Sequence, residues 1–273
     1  MTDLLKIEWL KLKNYTAFKV MTLFFIVGVF ALNYIVFIVN KNIVKNVPGA
    51  GLVSFSPYDF ENTWQTTSYA TGFILLLPAL LLLMLFTNEY TYKTHRQNII
   101  DGLSRQQFIS VKITMALIFA IAATLLVMIS ALIFGFGSGT SFSVHGMVFV
   151  GYFFLKALSY NLIAILFSVL VKRTGFAIGI FFIYLGSENI VSQLLNVLSI
   201  KLKRENNTDL GNIGDYLPMN AADGLLEFPD NPIKTMSKSI MPSDFTWLVL
   251  SLALAYLVIF YLWSRRKFIN ADL

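Results

Sequence analysis

Residues 66–86 read TTSYATGFILLLPALLLLMLF, a stretch with no charged side chain and a long aliphatic centre. A helix rises about 1.5 Å per residue, so about 20 apolar residues cross the roughly 30 Å hydrocarbon layer of a bilayer. Similar apolar runs recur along the 273-residue chain, which is 56% hydrophobic and only 13% charged. Soluble domains are nearer half apolar and about a quarter charged. The pattern therefore predicts a polytopic membrane protein.

The apolar runs predict six transmembrane helices in one membrane domain that covers residues 1–273. The predicted fold class is all-α, because backbone groups in lipid must find their hydrogen bonds within the spanning segment. Membrane β-strands would need alternating segments of about ten residues, whereas these runs are continuously apolar. Pro78 predicts a kink in the second span. The six spans are expected near 17–39, 66–86, 113–136, 147–171, 175–200 and 245–263.

Charge distribution predicts the orientation of these spans. Basic residues concentrate before the first span, between the second and third, between the fourth and fifth, and after the sixth. The positive-inside rule then places both termini in the cytoplasm, in a multi-pass protein of the cell's inner (plasma) membrane. The net charge of +6 lies beside apolar runs, which indicates membrane orientation and not nucleic-acid binding.

The first residues carry a second pattern. Leu5, Trp9 and Leu12 fall on one helical face, and Lys6 and Lys13 fall on another. Such a segment suits an N-terminal amphipathic helix that lies in the membrane interface. A plain helical extension of the first span explains the pattern equally well.

The segment between the second and third spans, residues 88–112, reads NEYTYKTHRQNIIDGLSRQQFISVK. Residues 89–100 contain neither glycine nor proline and are predicted to be helical. Gly102 supplies a turn with left-handed backbone geometry, and Ser104 with Gln107 forms a capping box for the next helix. The folded loop is interpreted either as a docking surface for a soluble partner or as an ordinary charged connector.

The same loop resembles the cytoplasmic loop of permease subunits in the type-2 ABC exporter family. That family shows a glutamate after the second span, then Gly-Thr-x-Arg, a turn, Ser-Arg and a lysine. The chain departs from this pattern at Lys93, where the family has glycine. The matching residues are Glu89, Thr94, Arg96, Gly102, Ser104, Arg105 and Lys112.

The resemblance implies a set of partners. Residues 89–105 would form a coupling helix that seats in a groove of a separate ATP-binding-cassette ATPase. ATP and magnesium would bind to that ATPase, and this chain would bind no cofactor. Two permease subunits would pair as a homodimer or a heterodimer, and short re-entrant helices would lie between the fifth and sixth spans, on the outer side.

Two charged residues are predicted to lie inside the membrane. Lys156 in the fourth span and Glu188 in the fifth lie at similar distances from the tight turn that joins these helices. They are predicted to form an intramembrane ion pair, since buried charge is usually tolerated in this way. The pair is interpreted as a structural lock between the two helices. The alternatives are a polar surface within a conduit or subunit interface, and a Lys156 side chain that reaches toward the outer headgroups.

Catalytic motifs are absent from the sequence. It contains no GxxxxGK[ST] phosphate loop, no HExxH pair and no GxSxG elbow, so neither ATP hydrolysis nor these hydrolytic chemistries are predicted. The expected function is a permease subunit of an ABC exporter, not an enzyme. The alternatives are a non-transporting membrane anchor or scaffold of an ABC-like assembly and, less favoured, a polytopic membrane enzyme.

Overall fold

The computed structural model describes residues 2–46, 56–230 and 242–271, and every regular element in these ranges is a helix. A short 3₁₀ helix at Ile213–Tyr216 accompanies the α-helices. The α-helices are α1 Thr2–Asn14, α2 Thr16–Asn46, α3 Phe60–Gly72, α4 Leu76–Thr91, α5 Thr94–Ile100, α6 Arg105–Gly137, α7 Val148–Val171, α8 Thr174–Asn206, α9 Asn220–Asp223 and α10 Thr246–Ile269.

The long helices alternate in direction, so both ends of the described chain lie at one end of the bundle. We call this end the base and the opposite end the top. At the base, Asn88 Nδ2 donates to the Tyr15 hydroxyl (2.9 Å), and Thr174 Oγ1 donates to Asn88 Oδ1 (3.4 Å). At the top, Trp64 Nε1 donates to the Ser143 carbonyl (2.8 Å). The first and last segments thus share a side of the molecule, as six crossings require.

Five described helices, α2, α6, α7, α8 and α10, are long and apolar enough to cross a membrane, and the bent pair α3–α4 makes a sixth span if it is counted as one. Their limits lie close to the predicted ones, and most extend further because helices continue past the hydrocarbon layer. The all-helical class and the multi-pass architecture are therefore confirmed.

The second span is broken. Helices α3 and α4 meet at 44°, one turn before Pro78, which lies in the first turn of α4. A proline ring clashes with the carbonyl four residues earlier and offers no N–H to it. That carbonyl belongs to Ile74, and it accepts from the Leu77 N–H instead (3.0 Å). The kink expected from Pro78 is present, displaced to residues 73–75.

Helix α7 is the most buried span, because it packs against α3, α4, α6, α8 and α10. Its apolar side chains join the main core, in which Leu162 and Ile163 are almost fully buried. Asn161 Nδ2 donates to the Ala116 carbonyl of α6 (3.0 Å). This central helix also carries Lys156 into the core, where the polar site described below is built.

Candidate functional site

The loop at the base is a helix between two left-handed turns. Helix α4 ends at Thr91, with Tyr92 as its C-cap, and Lys93 adopts φ +58° before α5 begins. Helix α5 ends at Ile100, Asp101 caps it, and Gly102 follows with φ +105°. The segment predicted to be helical over 89–100 is helical except at Tyr92 and Lys93, where the left-handed turn divides it into the end of α4 and α5. Lys93 stands where the related loops have glycine, and its backbone adopts the conformation that glycine favours.

The capping box predicted at Ser104 is confirmed. The Gln107 N–H donates to Ser104 Oγ (3.2 Å), and the Ser104 N–H donates to Gln107 Oε1 (3.0 Å). Both bonds satisfy N–H groups that a helix start otherwise leaves open. The start of α6 is thereby fixed relative to the turn at Gly102.

One face of the loop points into the protein, and the other is exposed. His95 is buried, and its Nδ1 donates to the Glu89 carbonyl (2.9 Å), with the ring 4.6 Å from the Tyr90 ring. Thr94 Oγ1 reaches the same carbonyl at 3.5 Å. On the other face Tyr92 is 75% exposed and Ile100 is 82% exposed. Arg96 lies between them in sequence and is also exposed.

Glu89 anchors a charge network that connects α1, α4 and α6, with Glu89 and Lys112 buried at its centre and Lys11 at its exposed edge. Its Oε1 accepts from Lys112 Nζ (2.6 Å) and from Lys11 Nζ (2.9 Å). Glu8 accepts from the same two lysines, with Lys112 Nζ at 2.6 Å and Lys11 Nζ at 2.8 Å. Two carboxylates and two ammonium groups alternate, so the network is neutral and each buried charge has a partner.

The ionisation of Glu8 and Lys11 follows from this arrangement. Burial alone raises the pKa of the Glu8 carboxyl, but the Lys112 and Lys11 ammonium groups outweigh it and hold that pKa below its ordinary value. Burial lowers the pKa of Lys11, and the Glu89 and Glu8 carboxylates raise it to a net value above the ordinary one. Both groups therefore stay charged near neutral pH.

Arg105 turns away from the exposed face. Its Nη1 donates to the main-chain oxygens of Ile269 (2.8 Å) and Ala271 (2.9 Å), which satisfies carbonyls at the end of α10. Beside it, the rings of Phe108 and Phe268 stack at 5.0 Å with an angle of 7°. Arg105 thus joins the start of α6 to the end of α10.

The seven residues expected in this loop therefore serve different purposes. Glu89 and Lys112 are buried in the network, Arg105 faces α10, and Arg96 alone among the charged ones is exposed on α5. Thr94, Gly102 and Ser104 shape the turns. Glu8 and Lys11 were not expected to take part in this site. The shared helical face of Leu5, Glu8 and Leu12 was the available signal, because it directs Glu8 with the buried leucine toward the bundle.

A second polar cluster lies within the spans. The expected ion pair between Lys156 and Glu188 is wrong. Lys156 Nζ pairs with Asp223 Oδ1 at 3.2 Å, and the Tyr160 hydroxyl donates to Asp223 Oδ2 (3.0 Å). A Cβ on Gly72 would lie 3.1 Å from Lys156 Nζ, so this glycine in α3 leaves room for the ammonium group.

Glu188 is buried and serves the short outer helix instead. Its Oε1 accepts from the Met219 N–H (2.5 Å), the Asn220 N–H (2.9 Å) and Asn220 Nδ2 (3.2 Å), at the start of α9. These N–H groups lack partners within a helix, and the helix dipole favours a negative charge beside them. Glu188 from α8 and Lys156 from α7 thus hold opposite ends of α9.

The depth of α9 follows from these contacts. Glu188 lies 14 residues after the start of α8 at Thr174, a rise of about 21 Å from the base. The expected short helices between the last two spans are present, and the segment folds back between the helices. Gly214 permits the approach, since a Cβ there would clash with the Ser192 carbonyl and lie 2.6 Å from Asn196 Oδ1.

A cavity of about 420 Å³ opens at the top, beside this segment. Asp215, Glu227, Asp230 and Asp244 are among its lining residues, so it concentrates negative charge. Burial raises the pKa of the Asp215 carboxyl to about 6, and the carboxylates of Glu227 and Asp244 add to the effect.

The comparisons with known proteins agree with this architecture. Residues 4–187 match the family model described as ABC-2 family transporter protein, and the match covers more than half of the chain. The matched residues include most of α1, the loop at the base, helix α7 with Lys156 and the first part of α8. No curated protein is similar enough in sequence to count as a relative. The chain belongs to the ABC-2 transporter family, and it is a multi-pass membrane permease subunit of an ABC transporter.

Proposed function

We propose that this permease works as an exporter driven by a separate ATP-binding-cassette ATPase that docks on α5. The exposed side chains of Arg96 and Ile100, one turn apart on α5, and of Tyr92 just before the turn at Lys93 carry this proposal. Arginine and tyrosine are enriched among interface hot spots. ATP and magnesium belong to the ATPase in this proposal, and this chain holds neither.

A docking helix transmits force only if it is firmly joined to the spans. Helix α5 is joined to α4 through the contacts of His95 and Thr94 with the Glu89 carbonyl. The Glu89 network extends this connection to α1 and α6, and Arg105 extends it to α10. Closure of the ATPase would therefore move four helices at the base together, which supports a coupling role for residues 89–105.

The remaining parts of the proposal concern the membrane. The excess of basic residues at the base supports cytoplasmic termini in the inner (plasma) membrane. Helix α1 then lies in the cytoplasmic interface, with Leu12 buried in the bundle and Trp9 exposed. Two permease subunits, alike or different, would assemble with two ATPase subunits and share one transport pathway. The polar cluster around Lys156 would help to open the top end of that pathway.

The docking proposal is tested by placing a negative charge at each of two exposed positions of α5. Arg96→Glu and Ile100→Asp should each weaken association with the ATPase at least about tenfold, because hot-spot losses commonly reach 2 kcal/mol. The measurement is the nucleotide hydrolysis that co-purifies with the tagged chain from its native membranes. Lys201→Glu is the matched control, because it reverses an exposed charge at the top. Unchanged hydrolysis in both loop variants would refute docking on α5.

A membrane anchor or scaffold would show the same association. Transport separates the two functions, since only a transporter couples hydrolysis to the movement of a solute. The purified complex in liposomes should therefore change its hydrolysis rate when candidate solutes are supplied on the side of the ATPase. A complex that docks normally but responds to no solute class would favour the scaffold.

A further inference from the structure

An apolar groove lies on the outer surface of the bundle between α2, α4 and α6. Its volume is about 260 Å³, and Thr22 is the one polar side chain among its described lining residues. Trp9 of α1 closes it toward the base, where its ring meets Phe18 edge-on at 6.3 Å. Pro78 lines the groove from α4, so the bend of the second span shapes its wall.

The dimensions of the groove indicate a narrow occupant. Its volume is below the roughly 300–1,000 Å³ of pockets for drug-sized ligands. The side chains that line it are aliphatic and aromatic, and they span more than one helical turn of α2, from Phe18 to Ile26. A flexible hydrocarbon chain fits such a space, whereas a folded protein segment is too wide.

Two lysines, Lys13 on α1 and Lys19 on α2, lie near the base end of the groove, although neither is among its lining residues. Lys19, Thr22 and Ile26 share one face of α2 at helical spacing, and Thr22 and Ile26 line the groove. Lys13 lies one turn beyond Trp9 along α1, toward the polar face that it shares with Lys6. Both lysines are exposed, and neither forms an ion pair with any residue in the described ranges. Each lysine therefore lies within one helical turn of a lining residue, Trp9 for Lys13 and Thr22 for Lys19, at the end of the groove nearest the headgroups of the leaflet at the base.

We propose that the groove binds one acyl chain of an anionic glycerophospholipid from the leaflet at the base, with the headgroup phosphate held by Lys13 and Lys19. Each basic group near an anionic headgroup adds to the affinity, and the tryptophan at the mouth suits the interface. A second copy of the chain fits less well, because a two-fold contact through this surface brings the same lysines face to face.

The test uses the purified full-length protein in detergent, with native mass spectrometry to count bound lipid. Phosphatidylglycerol should bind more tightly than phosphatidylcholine with identical chains. Lys13→Gln with Lys19→Gln should weaken phosphatidylglycerol about 10- to 30-fold. The control is Arg266→Gln with Lys267→Gln, which removes two positive charges from the same end on α10, a helix that does not line the groove. That control should change the affinity less than about twofold.

A groove-filling variant tests the apolar half of the site. Ala122 is exposed and lines the groove, so Ala122→Phe should displace the chain and reduce binding of both lipids without disturbing the core. Ile121→Phe, exposed on α6 but outside the groove, should leave binding unchanged. Free glycerol phosphate should not compete, because the groove holds the chain.

Three outcomes overturn the proposal. Equal binding of the two lipids would show that the lysines do not hold the headgroup phosphate. Full lipid binding by Ala122→Phe would show that the groove does not hold the acyl chain. Loss of dimer in Ala122→Phe with unchanged lipid binding assigns the groove to a second copy. The lysine variants alter only exposed side chains, so they report on the site even if Ala122→Phe misfolds.

Discussion

At the residue scale, the charged pair inside the bundle shows how a lysine is accommodated among apolar helices. Lys156 is buried in α7 and has Asp223 as its partner, with Gly72 leaving space for the ammonium group. A charge in a low-dielectric interior is strongly unfavourable alone and tolerable with a hydrogen-bonded partner. Glu188 satisfies the same requirement through main-chain N–H groups.

This pairing predicts a non-additive pattern of stability. Lys156→Met should lower the free energy of unfolding by about 1–3 kcal/mol, because Asp223 loses its partner. Adding Asp223→Leu should recover part of that loss, since no unpaired charge then remains. Thermal unfolding in detergent measures both. Lys201→Met is the control, because its exposed pair with Glu205 at 4.0 Å contributes little. Additive losses would contradict the pair.

At the element scale, the loop at the base depends on two residues with left-handed backbone conformation, which change the direction of the chain. Gly102 adopts φ +105° without strain, whereas Lys93 adopts φ +58° at a cost. The left-handed conformation of Lys93 sets the direction of α5, and this direction lets the buried His95 donate a hydrogen bond to the Glu89 carbonyl. A straight continuation of α4 would carry these groups apart.

The strain at Lys93 predicts opposite effects of two substitutions. Lys93→Gly should leave the melting temperature unchanged or raise it, because glycine enters the left-handed region freely. Lys93→Val should destabilise by about 1–2 kcal/mol, since a β-branched residue tolerates this conformation poorly. Arg96→Val, in the right-handed helix α5, should cost only a few tenths of a kcal/mol. A valine at position 93 as stable as glycine would show that the turn is not left-handed.

At the scale of the whole molecule, the base and the top respond differently to pH. The base holds a neutral network in which lysines lower the pKa of Glu8, so its contribution to stability is present at neutral pH and is lost in strong acid. The top gathers carboxylates around a cavity, and burial raises the pKa of Asp215 from 3.8 to about 6. Ionisation of Asp215 therefore opposes folding.

The sign of this effect gives a prediction. Between about pH 4 and 6 the folded state binds more protons at Asp215 than the unfolded state, so stability falls as the pH rises through this window. Asp215→Asn should raise the melting temperature at pH 7.5 and flatten its dependence on pH from 4 to 6. Asp101→Asn removes an exposed carboxylate at the base and should leave the slope unchanged. If the melting temperature of Asp215→Asn still falls from pH 4 to 6, the pH dependence belongs to another group.

The sequence alone determined the properties that depend on composition and on neighbours along the chain. Long apolar runs required helices in lipid, and their number and limits followed from the thickness of the bilayer. The capping box at Ser104 and the kink caused by Pro78 were also predictable, because both involve groups within four residues of each other.

The tertiary structure alone decided which distant groups meet. Lys156 pairs with Asp223, 67 residues away in sequence, because the segment after α8 folds back between the helices. Glu8 joins Glu89 and Lys112 because α1 packs at the base, and Arg105 reaches the end of α10. The rotation of each helix about its axis selects these partners, and packing against the other helices sets that rotation, which no single segment of the chain encodes.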